Sequence, residues 1–342
     1  MVDFKYIKAT QLKNKQSPPI WFMRQAGRYL PEYKSVRKNY TFNQMISNPD
    51  IVTEITLQPI KRYDFDAAIL YSDILVVPNA FGLHFDFIEK KGPVLQQSCD
   101  ISFLKDSFDQ QYDIGKCQFV FNSVRQLKTE LNSLKKPLIG FAGCPFTVAC
   151  YLIEGQSSKS FSRVKDLIKH NPAVFLSILD QLTAATIDYL SEQANAGVDA
   201  IQLFDTWACL LEGEDYINFT FSHIEKICNA LKPFNIPIIL FSKNTRAYIK
   251  QQMKLPINVI GIDSYLPLKE ARQILGNNFA VQGNLSPELL LSSDTKGLTK
   301  AVKNILSEMK NDPGFIFNLG HGILPTTPLE NVELVVDLVK NS

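Results

Sequence analysis

Short apolar runs, each ending in polar or glycine-containing turn residues, recur along the whole chain. The eight runs occupy residues 20–23, 67–71, 138–141, 200–204, 238–241, 259–262, 279–282 and 315–319. They are almost continuously apolar rather than alternating, which is typical of parallel strands covered on both faces. The pattern therefore predicts eight buried parallel strands.

Helical patterns separate the apolar runs, and several have clear start signals. A capping side chain stands directly before a proline at Asn48, Asn171, Ser286 and Thr327. Proline is favoured at the first position of a helix, so each pair predicts a helix start. Thr327 and Glu330 also fit a capping box. One helical period, which ends near Gly197, is carried by Phe175, Ile178, Leu179, Leu182 and Leu190.

Alternating strands and helices favour a (β/α)8 TIM-type barrel over the alternative, an open doubly wound sheet. Wide gaps after the first three runs leave room for extra helices near the N-terminus and for a hairpin insertion. In that hairpin Phe85 and Phe87 alternate before a turn at Lys90, Lys91 and Gly92. No internal repeat or low-complexity linker divides the chain, so we expect one barrel domain over residues 1–342.

Composition excludes several classes of function. The 342 residues carry a formal net charge of only +2, which gives no electrostatic case for nucleic-acid binding. The N-terminal residues have no apolar signal segment, and no continuous apolar run reaches membrane-spanning length. The six cysteines show no Cys-x-x-Cys spacing, which predicts reduced thiols in a cytoplasmic protein without a membrane partner.

Polar residues cluster directly after the predicted strands, at the end where barrel enzymes carry their chemistry. A barrel would gather around one cavity the side chains of Arg24, Arg28, Asp73, Asp205, Lys243, Asp263, Asn284 and His321. Asp73 and Asp205 equally fit caps of the turns that follow them. His84, His170 and His223 are expected to be structural or solvent-facing.

Arg24 and Arg28 follow the first predicted strand, four residues apart. One helical turn over residues 24–30, ended by Pro31, would place both guanidinium groups on the same side. Such a pair suits a bidentate carboxylate or phosphate ligand. The alternative is a structural salt-bridge network with Glu32.

Other chemistries have less support in the sequence. No nucleotide-binding, zinc-binding or nucleophile-elbow motif is present. The glycine loops after the last two strands fit a phosphate, so a phosphosugar aldolase with Lys243 as its Schiff-base nucleophile stays an alternative. His321 lies between two glycines, which marks either a tight turn or a close approach to a ligand.

Five segments resemble, in the same order, sequence blocks of the uroporphyrinogen decarboxylase family. Residues 18–33 (PPIWFMRQAGRYLPEY) are similar to the first family signature, and residues 140–155 (GFAGCPFTVACYLIEG) to the second. Residues 71–78 (YSDILVVP), 282–285 (QGNL) and 318–325 (NLGHGILP) resemble further blocks. The resemblance covers nearly the whole chain.

The resemblance implies a distorted (β/α)8 barrel that forms a homodimer. It implies a lyase that removes carbon dioxide from the four acetate side chains of uroporphyrinogen III, giving coproporphyrinogen III in haem and related tetrapyrrole synthesis, with no metal and no organic cofactor. The substrate-binding positions of the family fall on Arg24, Arg28, Asp73, Tyr151, Phe204, Thr206 and His321. Thr206 replaces a serine of the family and keeps its hydroxyl. The candidate catalytic residues are Arg24, Asp73, Tyr151 and His321.

The implied reaction fits the chemistry of these residues. Protonation of a pyrrole carbon makes the ring a cationic electron sink, so the substrate does the work of a cofactor. A carboxylate such as that of Asp73 can accept hydrogen bonds from the pyrrole N–H groups and stabilise the cation. The sequence leaves the general acid open among Arg24, Tyr151, His321 and water.

Two other hypotheses belong to the same kind of barrel. A zinc methyltransferase needs thiolate and histidine ligands near the later strands, where this chain offers Ser242, Lys243 and His321 without a nearby cysteine. A tetrapyrrole-binding module without activity is disfavoured, because every expected polar position is filled.

Overall fold

The computed structural model describes residues 4–88 and 91–342, and its centre is a curled sheet of parallel strands. The strands are β1 (Ala68–Ile69), β2 (Phe85–Ile88), β3 (Gly92–Leu95), β4 (Leu138–Gly143), β5 (Ala200–Asp205), β6 (Ile238–Ser242), β7 (Val259–Gly261), β8 (Ala280–Leu285) and β9 (Phe315–Leu319). Seven of them pair in parallel in the order β1-β4-β5-β6-β7-β8-β9. Their residues are almost all buried, which explains the continuous apolar runs. The last seven predicted strands are thereby confirmed.

The first predicted strand, over residues 20–23, is reduced to a short paired segment. Ile20 forms a parallel bridge with Phe317 of β9, and the Phe317 N–H donates to the carbonyl of Pro19 over 2.9 Å. On its other side, the Ile20 carbonyl accepts from the N–H of Asp66 over 2.9 Å. The segment therefore lies between β9 and the chain that leads into β1.

The hairpin strands β2 and β3 pair antiparallel as a separate two-stranded sheet. Lys90, the first residue of the predicted turn, lies outside the described residues, as does Glu89. Asn43 donates from its side-chain amide to the Phe85 carbonyl over 3.0 Å, and Leu95 N–H donates to the Gly155 carbonyl over 2.8 Å. These contacts hold the hairpin beside the carboxyl ends of the first strands.

Helices cover the outside of the sheet, and four of them precede β1. Their bounds are α1 (Lys5–Thr10), α2 (Pro31–Arg37), α3 (Phe42–Ser47), α4 (Pro49–Tyr63), α5 (Ile101–Asp109), α6 (Gln118–Ser133), α7 (Pro145–Glu154), α8 (Ser162–His170), α9 (Pro172–Ala196), α10 (Gly213–Tyr216), α11 (Ser222–Leu231), α12 (Thr245–Gln252), α13 (Leu268–Leu275), α14 (Thr295–Glu308) and α15 (Leu329–Lys340). The apolar core lies between these helices and the sheet. A second cluster lies around α5, α7, α8 and α9.

The predicted helix starts have mixed outcomes. Asn48 caps α4 through its side chain, α9 starts at Pro172, and Gly197 ends α9 with a φ of 109°. The α-helix predicted to start after Ser286 is wrong, because these residues form a short 3-10 helix instead. The predicted capping box of Thr327 is wrong, because α15 starts only after Pro328. The buried Thr327 hydroxyl has no hydrogen-bond partner among the described residues.

The predicted helical turn over residues 24–30 is also wrong. These residues form irregular turns, and Pro31 begins α2 instead of ending a turn. A proline fits the first helical position because its missing N–H would have no partner there.

Helix α9 is long and apolar enough to cross a membrane by length and composition, although no continuous apolar run of the sequence reaches that length. It packs against α6, α7, α8 and α11, and its core face includes Phe175, Ile178, Leu179 and Leu182. One such helix is weak evidence for a membrane span, because the central helix of a protein core has the same composition.

Candidate active site

A cavity of about 420 Å³ opens at the carboxyl ends of the parallel strands. Asp73 follows β1, Thr206 follows β5 and His321 follows β9. The structure brings together in this cavity all seven candidate substrate-binding residues: Arg24, Arg28, Asp73, Tyr151, Phe204, Thr206 and His321. They come from five segments that are distant in sequence, and the curl of the sheet makes them neighbours.

Four of the polar residues predicted at the cavity do not line it. Asp205 is fully buried beneath the loop after β5, where it accepts hydrogen bonds from the Thr147 hydroxyl over 2.9 Å and the Thr220 hydroxyl over 2.6 Å. Lys243 holds its ammonium 5.3 Å from the centre of the Trp207 ring. The side chain of Asp205 points away from the cavity because it alternates along β5 with Phe204, which lines the cavity.

The other two residues, Asp263 and Asn284, stabilise the loop after β7. Asp263 accepts hydrogen bonds from the backbone N–H groups of Thr245 over 3.2 Å and Tyr265 over 3.1 Å. Asn284 donates to the carbonyls of Asp263 and Leu266. Both side chains are buried and occupied by backbone partners, so they serve the loop and not the cavity.

The two arginines carry exposed side chains at the cavity. Glu32 binds Arg62 bidentately, with N–O distances of 2.8 and 3.0 Å, so the predicted network between Glu32 and these arginines is wrong. Among the described residues, neither Arg24 nor Arg28 has an ion-pair or hydrogen-bond partner. Two unpaired guanidinium groups at one cavity favour an anionic ligand.

The backbone of Arg24 has a left-handed conformation, with a φ of 63°. Such conformations are uncommon outside glycine and concentrate at functional sites. Gly322 contributes to the same geometry, because a Cβ atom there would overlap Cδ, Cγ and Nε of Arg24. The glycine after His321 therefore leaves room for the arginine side chain.

Asp73 is the acidic residue of the cavity. Its Oδ1 accepts a hydrogen bond from the backbone N–H of Leu75 over 2.9 Å. Burial raises the pKa of the Asp73 carboxyl to about 6, although the Leu75 hydrogen bond and the charge of Arg24 act in the opposite direction. The carboxylate is therefore mostly ionised near pH 7 and gains its proton only slightly below that pH.

His321 is neutral near pH 7. Its Nδ1 accepts a hydrogen bond from the backbone N–H of Gly322 over 2.8 Å, which assigns the proton of the neutral ring to Nε2. Burial, followed by the charges of Arg24 and Lys243, lowers the pKa of His321 to about 4. The ring can thus donate a hydrogen bond from Nε2 without carrying a charge.

Tyr151 lies on α7 and contacts the ring of Trp207 edge to face, with 6.1 Å between the ring centres. Burial raises the pKa of the Tyr151 hydroxyl above its ordinary value. The hydroxyl therefore keeps its proton near pH 7 and can act as a hydrogen-bond donor in the cavity.

An aromatic wall on three neighbouring strands completes the cavity. The rings of Phe141 and Phe204 are 5.6 Å apart and those of Phe204 and Phe241 are 6.2 Å apart, both edge to face. The sequence analysis missed Phe141 and Phe241, because aromatic residues in apolar runs look like ordinary core. Their only signal is position, since each is the last residue of a predicted apolar run.

A pair of tyrosines was also missed. The hydroxyls of Tyr33 and Tyr71 lie 2.9 Å apart, and both side chains line the cavity. Only one of the two hydroxyl protons can be used within the pair, so the other is available to an acceptor. Tyr71 directly precedes Ser72 and Asp73, which is the signal that could have found it.

The cavity combines cations, neutral hydrogen-bond donors, one carboxylate and aromatic walls. This combination suits a ligand with an apolar body, acid groups at its edge and N–H donors near its centre. Among the described residues, no three His, Cys, Asp or Glu side chains are grouped closely enough to hold a metal ion. All six cysteines are free thiols.

Comparison with known proteins gives the family of this chain. The family model for uroporphyrinogen decarboxylase (URO-D) matches residues 4–342. The uroporphyrinogen decarboxylase of Ruthia magnifica subsp. Calyptogena magnifica is 41% identical over 341 residues, which covers 98% of each chain. That of Helicobacter pylori (strain J99 / ATCC 700824) is 43% identical over 338 residues, again 98% of each chain.

Among solved structures, a methyltransferase from Methanosarcina mazei is similar in fold. Its TM-score is 0.80 with 17% identity, and the match covers 99% of both chains. This likeness concerns the fold alone, whereas the family model and the relatives match the sequence along its length. The chain therefore belongs to the uroporphyrinogen decarboxylase family.

Proposed function

We propose that this protein decarboxylates the four acetate side chains of uroporphyrinogen III and releases coproporphyrinogen III, in haem and related tetrapyrrole synthesis. The observation that carries the proposal is the cavity itself, where the Asp73 carboxylate faces unpaired arginines and an aromatic wall. Family membership over residues 4–342 supports the same reaction.

Asp73 is assigned to the centre of the tetrapyrrole. The inward-pointing pyrrole N–H groups donate to its carboxylate, and its negative charge stabilises the cation formed when a pyrrole carbon is protonated. A carboxylate that is deep in the cavity yet mostly ionised near pH 7 supports this role, because its field is weakly screened there.

Arg24 and Arg28 are assigned to the acid side chains of the substrate. A guanidinium group binds a carboxylate through two parallel hydrogen bonds, which fixes orientation as well as charge. Phe204 supplies an apolar face for the macrocycle, and the Thr206 hydroxyl supplies a further hydrogen bond at the end of β5.

The reaction follows from the substrate. Protonation of the pyrrole carbon creates the electron sink, and the C–C bond to the carboxylate breaks with loss of carbon dioxide. The exocyclic carbon then takes up a proton to become a methyl group, and the ring proton is returned. Each cycle therefore consumes one proton and releases one carbon dioxide, with no need for a metal or an organic cofactor.

The contacts and pKa shifts of the candidates bear on the choice of general acid. His321 is neutral near pH 7 and holds its proton on Nε2, so it suits a hydrogen-bond donor better than an acid. Burial raises the pKa of the Tyr151 hydroxyl, so Tyr151 acts as an acid only towards a strong base. Arg24 stays a candidate. Water delivered to the cavity stays a candidate donor.

The architecture is proposed to be a closed eight-stranded barrel of one domain. The segment Pro19–Trp21 would be its first strand, because it is hydrogen-bonded to β9 on one side and to Asp66 on the other. We also propose a cytoplasmic homodimer without nucleic-acid or membrane partners. Sedimentation velocity at micromolar concentration tests the dimer, and a monomer would contradict it.

Anaerobic turnover of uroporphyrinogen III tests the proposed function. The products are separated by their number of carboxyl groups, and we expect species with seven, six, five and four carboxyls to form in succession. A protein that binds the substrate without releasing carbon dioxide would instead support the tetrapyrrole-binding module.

A further inference from the structure

A second cavity, of about 380 Å³, shares Asp73, Leu75 and Phe87 with the active-site cavity. The rest of its lining comes from α3, the hairpin and the residue after it, the segment between β1 and β2, and the start of α6 with the turn before it. The chemistry assigned to the active site uses none of this lining beyond Asp73.

The second cavity changes in polarity from its mouth to its floor. Exposed polar side chains surround the mouth, namely Gln44, Ser47, His84, Gln96 and Lys116. The floor contains buried apolar groups such as Ile46 and Val76, and among the described lining residues Asp73 is the only carboxylate. A cavity of this size with a polar mouth can hold water, and Asp73 is part of its lining.

Proton supply is a requirement of the proposed reaction. Each decarboxylation consumes one proton, so four must reach the site for every molecule of coproporphyrinogen. A bound macrocycle occupies the first cavity and displaces water from it. The protons for later cycles then need an entrance that the substrate does not block.

We propose that the second cavity is a water-filled passage through which protons from solvent reach the active site at Asp73 while substrate closes the first cavity. The inference rests on the proposed function. A hydronium proton moves along the water to the Asp73 carboxylate, which passes it to the general acid spent in the previous cycle and is thereby restored. No oxidant or further reactant takes part.

Two features of Asp73 suit this transfer. Its Oδ1 is held by the Leu75 N–H, which leaves the second carboxylate oxygen without a backbone partner. Burial brings the pKa of the carboxyl to about 6, close enough to neutral pH for rapid protonation and release.

The test closes the mouth of the passage with a bulky residue. Ser47 is the exposed last residue of α3, and its hydroxyl donates to the Gln44 carbonyl three residues earlier. Ser133 is the matched control, since it is the exposed last residue of α6 and donates in the same way to the Glu130 carbonyl, away from both cavities. The variants are Ser47→Trp and Ser133→Trp.

We expect Ser47→Trp to lower kcat for uroporphyrinogen at least about tenfold, with KM within about twofold of the wild type. The fall in kcat should be smaller than the roughly 10²–10⁴-fold contribution of a positioned proton transfer. Its solvent deuterium isotope effect on kcat should rise, because proton delivery becomes slower than the chemistry. Ser133→Trp should match the wild type in both measurements.

Equal kcat and equal isotope effects in the two tryptophan variants would overturn the passage. So would a rise in KM at unchanged kcat, which would mean that the cavity binds substrate. If Ser47→Trp does not fold, Asn79→Leu makes the lining apolar from inside the cavity and is judged by the same readouts. Wild-type turnover is measured in parallel: an inactive wild type refutes the proposed function and leaves the passage no reaction to supply.

Discussion

At the residue scale, Asp73 controls the pH dependence expected of the reaction. Its pKa of about 6 lies above the ordinary aspartate value, so the carboxylate that we propose as catalytic is ionised above pH 6 and is lost as the pH falls through that value. We expect kcat to decline below pH 6 on this account. Asp73→Asn should lower kcat by roughly 10²–10³-fold, the scale for one preorganised electrostatic contact.

The melting temperature of Asp73→Asn shows whether the variant stays folded. The folded protein binds the Asp73 proton more tightly than the unfolded chain does, so ionisation of Asp73 makes the folded state less stable as the pH rises towards 6. Asp73→Asn should therefore melt at or above the wild-type temperature at pH 7. A fully active, folded Asp73→Asn variant would remove Asp73 from the centre of the mechanism.

Gly322 and Gly320 flank His321 and give a second prediction at this scale. A Cβ atom at Gly322 meets the flexible side chain of Arg24, whereas one at Gly320 meets the backbone of Ser264. Gly322→Ala should displace Arg24 and lower kcat/KM about as much as Arg24→Ala, while its melting temperature stays close to the wild type. Gly320→Ala should lower the melting temperature instead, which calorimetry reads directly.

These residues also show the limit of sequence reasoning. The motif around Arg24 predicted an anion-binding arginine, but not its left-handed backbone or the space that Gly322 leaves for it. Both features depend on contact between chain segments almost 300 positions apart. Glu32 was assigned the wrong partner for the same reason, because Arg62 becomes its neighbour only when α2 packs on α4.

At the scale of elements, the loop after β5 depends on a buried carboxylate. Thr147 of α7 donates to Asp205 and also accepts from the backbone N–H of Trp207 over 3.1 Å, whereas Thr220 makes only its bond to Asp205. Each threonine-to-valine change keeps the shape and leaves a buried polar group without its partner. We expect each to lower the free energy of unfolding by about 1–3 kcal/mol.

The two variants should differ in activity. Thr147→Val also releases the backbone of Trp207, which is adjacent to Thr206 of the active site, so its kcat/KM should fall further than that of Thr220→Val. Urea denaturation and steady-state kinetics on both proteins measure the two effects. Equal losses of activity would mean that Thr147 acts through stability alone.

Apolar runs predicted strands better than local signals predicted helix ends. Seven runs form strands of the sheet because burial on both faces demands continuous apolar residues. The Thr327 capping box failed because a proline between cap and helix moves the start by one residue, a geometric detail that side-chain spacing does not contain. Asp205 was misplaced because alternation along β5 sends its side chain away from the cavity.

At the scale of the whole molecule, the fold alone does not determine the reaction. The methyltransferase from Methanosarcina mazei has a similar fold over 99% of both chains, yet the identity is only 17%. One architecture commonly supports unrelated chemistries through the residues at its strand ends. The proposed function of this chain therefore depends on Asp73, the two arginines and the aromatic wall, and not on the fold.

Metal removal separates decarboxylation without a cofactor from the zinc methyltransferase hypothesis. If uroporphyrinogen supplies its own electron sink, turnover should be unchanged within error after dialysis against EDTA, and added Zn²⁺ should not raise it. A zinc-dependent reaction would lose its activity in the chelator and regain it with the metal. Elemental analysis of the dialysed protein serves as the control that no tightly held ion was retained. Loss of activity with EDTA, restored by zinc, would contradict the cofactor-independent mechanism and favour the methyltransferase hypothesis.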